Sequence, residues 1–228
     1  MRSAIILCGG KATRMGDLCE STPKVLMKIG DKTILEHQIE LLRKSNIHRV
    51  ILAVGHLMNC IKEEVGNSCR GVEILYSEES EPLGTAGAFK NAFSYLDDEE
   101  MCFGLNGDIF MPDFQTNIFE KTSQCIESDI CVSTFSWTPP FGIVKPLEDG
   151  DRNFGTVSEF IEKKPVMVNA GFYIIKPQAR PLFPNKGSIE YDVFEKGAKC
   201  SYYLYNGVWF DCGTPERLDE VNEYINRK

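Results

Sequence analysis

Long apolar runs are missing from this 228-residue chain: none approaches the roughly 18 residues of a membrane span. The apolar start, Ser3–Cys8, is cut off by Gly9-Gly10-Lys11, too early for the core of a secretory signal. A soluble, cytoplasmic protein with no membrane partner is the expectation. Basic excess is missing too. The net charge of −8 argues against a protein that coats nucleic acid, so no nucleic-acid partner is expected. No two of the nine cysteines form a C-x-x-C pair, and none stands near a histidine at zinc-site spacing. Reduced thiols are expected, with Cys8, Cys102 and Cys131 as small buried hydrophobes inside apolar runs. His37, His48 and His56 form no constellation and read as surface or structural residues. Internal repeats and Gly-, Pro- or Ser-rich linkers are absent. With 43% hydrophobic and 25% charged residues, disorder and collagen are excluded.

What is present is an alternation of strand and helix in the first half. Ser3–Cys8 and Arg49–Val54 read as buried parallel strands, Val72–Tyr76 and Met101–Leu105 as further strands. Thr33–Ser45 reads as a helix with Leu35, Ile39 and Leu42 on one face and Glu36, Glu40 and Arg43 towards water. Leu57–Val65 and Thr85–Leu96 read as helices, the latter with Thr85 as its N-cap. The second half is richer in strand: Asp129–Phe135, Phe141–Lys145, Thr156–Ile161, Val168–Ile175 and Ser201–Tyr205. A closing helix starts at N-cap Thr214, with Pro215 and Glu216 in its first turn and Leu218, Val221 and Ile225 as its apolar stripe. Right-handed crossovers then give a mainly parallel sheet in an α/β, Rossmann-like three-layer sandwich. The expected organisation is one domain over 1–228. A nucleotide-binding half covers about 1–112 and a more β-rich half about 113–228.

The glycine loop after the first strand, Gly9-Gly10-Lys11-Ala12-Thr13-Arg14, lets backbone approach a ligand closely. It is neither a P-loop nor a G-x-G-x-x-G fingerprint. Arg14 offers a planar fork to phosphate oxygens and Lys24 a compact charge after Pro23, so an anionic ligand is expected there. Asp108 ends an apolar strand at Leu105-Asn106-Gly107-Asp108. Asp211 stands between apolar residues, where a carboxylate wants a cation.

The ordered set is more specific than its parts. Leu7-Cys8-Gly9-Gly10-Lys11-Ala12-Thr13-Arg14-Met15 and Thr22-Pro23-Lys24 come first. Glu81-Pro82-Leu83-Gly84-Thr85-Ala86-Gly87-Ala88 and Leu105-Asn106-Gly107-Asp108 follow. Phe160-Ile161-Glu162-Lys163, Asn169-Ala170-Gly171-Phe172-Tyr173 and Trp209-Phe210-Asp211-Cys212-Gly213-Thr214-Pro215 complete it. Together these motifs resemble the sugar-1-phosphate nucleotidyltransferases from residue 4 to about 218. The departures are Ala12 where that family usually has glycine, Met15 where it has leucine, and Gly16-Asp17 where Arg-Pro is common.

The resemblance implies transfer of a nucleotidyl group from a nucleoside triphosphate to a sugar 1-phosphate, with pyrophosphate released. It implies catalytic roles for Arg14, Lys24 and Asp108. It implies nucleotide contacts from Leu7, Gly9, Gly10, Thr13, Arg14, Lys24, Gly84, Thr85, Asn106 and Asp108. Sugar-phosphate contacts fall to Gly142, Glu162, Lys163, Asn169 and Gly171, and Mg²⁺ ligation to Asp108 and Asp211. The 81–88 loop looks most like that of the mannose and manno-heptose 1-phosphate guanylyltransferases. That favours GTP, and the chain's length leaves no room for an appended left-handed β-helix. A uridylyl- or thymidylyltransferase acting on another hexose 1-phosphate is the alternative, and a non-catalytic regulatory subunit of the same fold a further one. Oligomeric state is not legible, a homodimer being compatible.

Overall fold

The computed structural model describes residues 2–147 and 155–227. Strand β1 (Ser3–Leu7) is followed by a small ribbon, β2 (Lys28–Ile29) and β3 (Lys32–Thr33), then helix α1 (Ile34–Lys44) and β4 (Arg49–Val54). Helix α2 (Met58–Val65), β5 (Ser68–Cys69), β6 (Val72–Glu78), helix α3 (Gly84–Ala92), β7 (Cys102–Asn106) and β8 (Ile109–Phe110) complete the first half. The second half holds helix α4 (Thr116–Cys125), β9 (Ile130–Trp137), β10 (Ile143–Pro146), β11 (Val157–Ile161), β12 (Val166–Ile175), β13 (Cys200–Tyr205), β14 (Phe210–Asp211) and helix α5 (Pro215–Asn226). Among the described residues, no helix is long and apolar enough to cross a membrane.

Eight strands form one sheet in the order β13-β9-β12-β7-β1-β4-β6-β5, and only β12 and β5 run against the rest. The two halves therefore share one sheet, joined where β12 pairs β7. Alternation along the strands feeds two cores. Ala4, Ile6, Val50 and Leu52 pack towards Leu35, Ile39 and Leu42 of α1 and Ile61 of α2. Ile5, Ile51 and Ala53 pack the other way, against Ala86 and Phe89 of α3 and the 179–193 segment. The result is the expected three-layer arrangement.

Strand order sets the position of the site. The chain steps from β1 to β4 and on to β6 with α1 and α2 on one face, then returns through α3 on the other face to β7, beyond β1. The order reverses at β1, so the loops after β1 and β7 part and open a crevice at the strands' carboxyl ends. A third core holds the lip of that crevice: Met15 and Cys19, beside Arg14, pack with Leu218 and Val221 of α5.

Two expectations are corrected. The helix expected over Thr85–Leu96 begins at Gly84 and ends at Ala92, continuing as a 3₁₀ turn over Phe93–Tyr95. Thr85 is not its cap, because its hydroxyl accepts from the backbone N–H of Ile189 at 2.8 Å. Helix α4 was not expected. Its buried face carries Thr116, Glu120 and Ser123 beside Phe119, which blurs the apolar period.

Candidate active site

The crevice is a cleft of about 390 Å³ lined by Leu7, Cys8, Gly9, Gly10, Lys11, Ala12, Lys24, Val25, Ala53, Glu79, Pro82, Gly84, Thr85, Ala88, Asn106, Gly107 and Asp108. Eight of the residues expected to meet nucleotide line it: Leu7, Gly9, Gly10, Lys24, Gly84, Thr85, Asn106 and Asp108. Its floor is held by backbone. Gly107 N–H donates to the Leu7 carbonyl at 3.1 Å, and a Cβ at Gly107 would strike that same oxygen. Gly84, at φ +73, sits so close to the Gly187 carbonyl that a Cβ would collide with it.

Lys24 and Asp108 meet inside the cleft. The Lys24 Nζ donates to Asp108 Oδ2 at 2.5 Å, with the two side chains only 17% and 21% exposed. Lys24 opens a short 3₁₀ turn, Lys24–Leu26, after buried Pro23. Asp108 lies beyond the end of β7, between Asn106 and the β8–β14 ribbon, not on the strand itself.

Thr13 and Arg14 do not line the cleft. Arg14 stands on its rim against Gly213: a Cβ there would lie 2.9 Å from Arg14 Nη2 and 2.5 Å from Asp211 Oδ1. The guanidinium and the second carboxylate are thus neighbours. Asp211 faces Ile109 across the ribbon, and Cys212 N–H donates to the Asp108 carbonyl at 2.7 Å, so the two acidic residues sit on adjoining backbone. The buried Cys212 thiol is pushed up to about 12, first by burial and then by Asp108 and Asp211, with Lys24 opposing. Four charged groups from four separate segments converge here.

Arg217 of α5 pairs with Asp211 Oδ2, while Oδ1 is buried with no hydrogen-bond partner among the described residues. The orphaned, buried Asp211 Oδ1, with Asp108 on adjoining backbone, belongs to a donor set that a hard divalent cation fits. No cluster of three or more metal-ligating side chains exists among the described residues, so phosphate oxygens and water must complete such a shell.

The residues expected to bind sugar phosphate fall into two groups. Asn169 and Gly171 lie on an irregular stretch of β12 beside the cleft. Asn169 Oδ1 accepts from Gly171 N at 2.9 Å, its Nδ2 donates to Tyr173 Oη at 2.8 Å, and a Cβ at Gly171 would lie 2.8 Å from Asn106 Nδ2. Gly142, Glu162 and Lys163 lie at the open end of the β10–β11 hairpin and are not among the cleft-lining residues. Glu162 and Lys163 pair with each other at 3.8 Å and are 60% and 63% exposed.

One acidic cleft residue escaped the sequence reading. Glu79 follows β6 and is half-buried. Its Oε2 accepts from Leu83 N at 3.2 Å, and its Oε1 lies 3.5 Å from where a Cβ on Gly9 would be. Burial raises its pKa, the Leu83 amide opposing. Its position at the carboxyl end of a parallel strand was the available signal.

Ala12 adopts φ 50, ψ 38, the left-handed region where the resembling family carries glycine. An L-residue there costs about 1–2 kcal/mol, whereas glycine loses about 0.4–1 kcal/mol through its freer unfolded chain. Strain relief wins, so Ala12→Gly is expected to raise the melting temperature by about 1–4 °C, as read by calorimetry. A lowered value would show that the loop is not strained.

A doubly wound sheet with a glycine loop and clustered cations at its switch point defines a nucleotide-binding α/β protein. The nucleotidyl transferase family model matches residues 3–228, and the chain belongs to that family. It is 32% identical to the D-glycero-alpha-D-manno-heptose 1-phosphate guanylyltransferase of Campylobacter jejuni, over 93% of this chain and 95% of that one. It is 35% identical to the mannose-1-phosphate guanylyltransferase catalytic subunit beta of Dictyostelium discoideum, over 98% of this chain but 64% of that longer protein. The crystal structure of HddC from Yersinia pseudotuberculosis complexed with GMP-PN superposes with a TM-score of 0.78 at 26% identity, covering 99% of this chain and 100% of the other.

Proposed function

We propose that the protein is a sugar-1-phosphate guanylyltransferase. It takes GTP and manno-heptose 1-phosphate or mannose 1-phosphate and yields a GDP-sugar and pyrophosphate. The observation that carries this reading is a crevice lined by a glycine loop and holding the Lys24–Asp108 pair, with Arg14 and Asp211 neighbours at Gly213 on the adjoining segment. The Campylobacter and Dictyostelium relatives, both named as guanylyltransferases, support it.

In the reaction a phosphate oxygen of the sugar 1-phosphate attacks the α-phosphorus of GTP. The bond from that phosphorus to the bridging oxygen breaks, and pyrophosphate leaves. Bringing two anions together is the difficulty, so charge and alignment carry the catalysis. Gly9 and Gly10 border base and ribose. Lys24 neutralises the α-phosphate as charge builds on it, and Arg14 holds the β- and γ-phosphates from the rim. Asp108 and Asp211 would hold a divalent cation, Mg²⁺ in our reading, which when bound supplies neutralisation of the polyphosphate and its leaving group. Asn169 and Gly171 border the incoming sugar phosphate, with Gly142, Glu162 and Lys163 contributing from the hairpin.

Glu79 supports guanine as the base. A half-buried carboxylate is best satisfied by two adjacent donors. Guanine offers these at N1–H and N2–H₂, and uracil and thymine offer only N3–H. Glu79→Gln is therefore expected to cut the preference for GTP over UTP by about 10–100-fold, the worth of one bidentate contact. Pyrophosphate release with sugar 1-phosphates across GTP, ATP, UTP, CTP and dTTP tests both points. A wild type that favours UTP or dTTP overturns the guanylyl reading, and an unchanged preference in the variant removes Glu79 from base recognition.

A further inference from the structure

We infer that Gln38 is a positioning residue for the acidic turn, its amide holding Asp108 where it can bind a cation and serve transfer; this rests on the nucleotidyl-transfer reading above. Gln38 lies on the buried face of α1 and is 4% exposed. Its Nε2 donates to the carbonyls of Asn106 and of Ile109, each at 2.9 Å. Those two carbonyls flank Gly107-Asp108, so one NH₂ group closes the turn from behind while the Asp108 carboxylate faces Lys24. Ile109 also faces Asp211 across the β8–β14 ribbon, so the same amide braces the register of both carboxylates.

The residue type is specific to this task. Two carbonyls need two hydrogens converging from one atom, which glutamine supplies. Glutamate would bring acceptors to acceptors, and methionine would fill the space without donating. The Gln38 Oε1 is buried without a hydrogen-bond partner among the described residues. A residue kept for packing alone would carry no such unmet acceptor, because an apolar side chain of the same length avoids it. The amide is retained at that expense, and the turn is what it holds.

Helix α1 also references the other half of the ion pair. It begins directly after the ribbon that follows Lys24, with Ile34 N–H donating to the Met27 carbonyl at 2.9 Å. A capping box between Thr33 and Glu36 fixes the helix start. Lys24 and Asp108, 84 residues apart in sequence, are therefore both indexed to one rigid helix.

The test uses the full chain with Gln38→Met and Gln38→Asn, the second shorter by one methylene and able to serve one carbonyl at most. Turnover, KM for each substrate and melting temperature are measured. Mn²⁺ binding beside a non-hydrolysable GTP analogue is followed by electron paramagnetic resonance. Gln38→Met is expected to lower kcat about 10–100-fold with little change in KM for the triphosphate, and to weaken Mn²⁺ binding about tenfold. Gln38→Asn falls between it and wild type, and carries the test if the methionine variant fails to fold. A lower melting temperature with kcat and Mn²⁺ binding unchanged assigns Gln38 a packing role and overturns the inference. So does a wild type that binds no Mn²⁺ at this turn. A wild type that binds Mn²⁺ yet releases no pyrophosphate defeats the functional reading alone, and the Mn²⁺ titrations of the variants still decide the role of Gln38.

Discussion

Replacing Lys24 with alanine lowers turnover by about 10²–10³-fold, the range for deleting one preorganised charge at a reacting centre, and changes the affinity for GTP far less. The asymmetry follows from where the charge sits. Lys24 Nζ lies in the cleft against Asp108, at the junction of the β1 and β7 loops. In the proposed reading, ground-state binding of GTP is spread over the glycine loop, Glu79 and Arg14. The α-phosphate, by contrast, gains its extra charge only as the sugar phosphate attacks, so an ammonium there favours the transition state over the ground state. Lys24→Arg is expected to recover little, since the longer planar fork carries its charge away from the point that the compact ammonium occupies. Loss of the ion pair also lowers stability, because the mostly buried Asp108 carboxylate is left without its counter-charge. Steady-state kinetics alongside calorimetric binding of a GTP analogue separates the two effects. Turnover near that of wild type removes Lys24 from the chemistry.

Asp108→Asn abolishes metal-dependent transfer, a loss of at least about 10³-fold given that a catalytic cation stabilises the transition state by several kcal/mol. The substitution keeps the volume and the turn, whose backbone bonds come from Cys212 N–H and the Gln38 amide. It removes a hard anionic donor and leaves Lys24 without its counter-charge. Asp211→Asn is the matching probe. Its orphaned Oδ1 would lose the charge that makes it a ligand, while Arg217 keeps a weaker hydrogen bond to the amide oxygen. Magnesium titrations of pyrophosphate release report both variants. An unchanged magnesium dependence in the Asp108 variant counts against the carboxylates as cation ligands.

The sequence made some of this legible because the signals are local. Continuous apolar runs over Ser3–Leu7 and Arg49–Val54 end at the carboxyl side of a parallel sheet, where a glycine loop must lead to a ligand. Thr214 followed by Pro215 announced α5, and its hydroxyl accepts from Arg217 N–H as a cap does. Other features depend on partners far along the chain. Thr85 reads as a helix cap until Ile189, 104 residues away, takes its hydroxyl. Gln38 reads as an ordinary polar residue on an amphipathic helix until the carbonyls of Asn106 and Ile109 stand above it. Glu79 looks like one more acid in an acidic loop until the sheet sets it beside Gly9. Helix α4 hid because its buried face is half polar, with Glu120 paired to Arg2 at 2.9 Å.

The most direct test is a phosphorus NMR time course of the purified protein with GTP, Mg²⁺ and mannose 1-phosphate or manno-heptose 1-phosphate. Attack at the α-phosphorus predicts paired diphosphate resonances of a GDP-sugar growing together with free pyrophosphate. Release of GDP with inorganic phosphate, or no consumption of GTP with either sugar phosphate, would contradict the account.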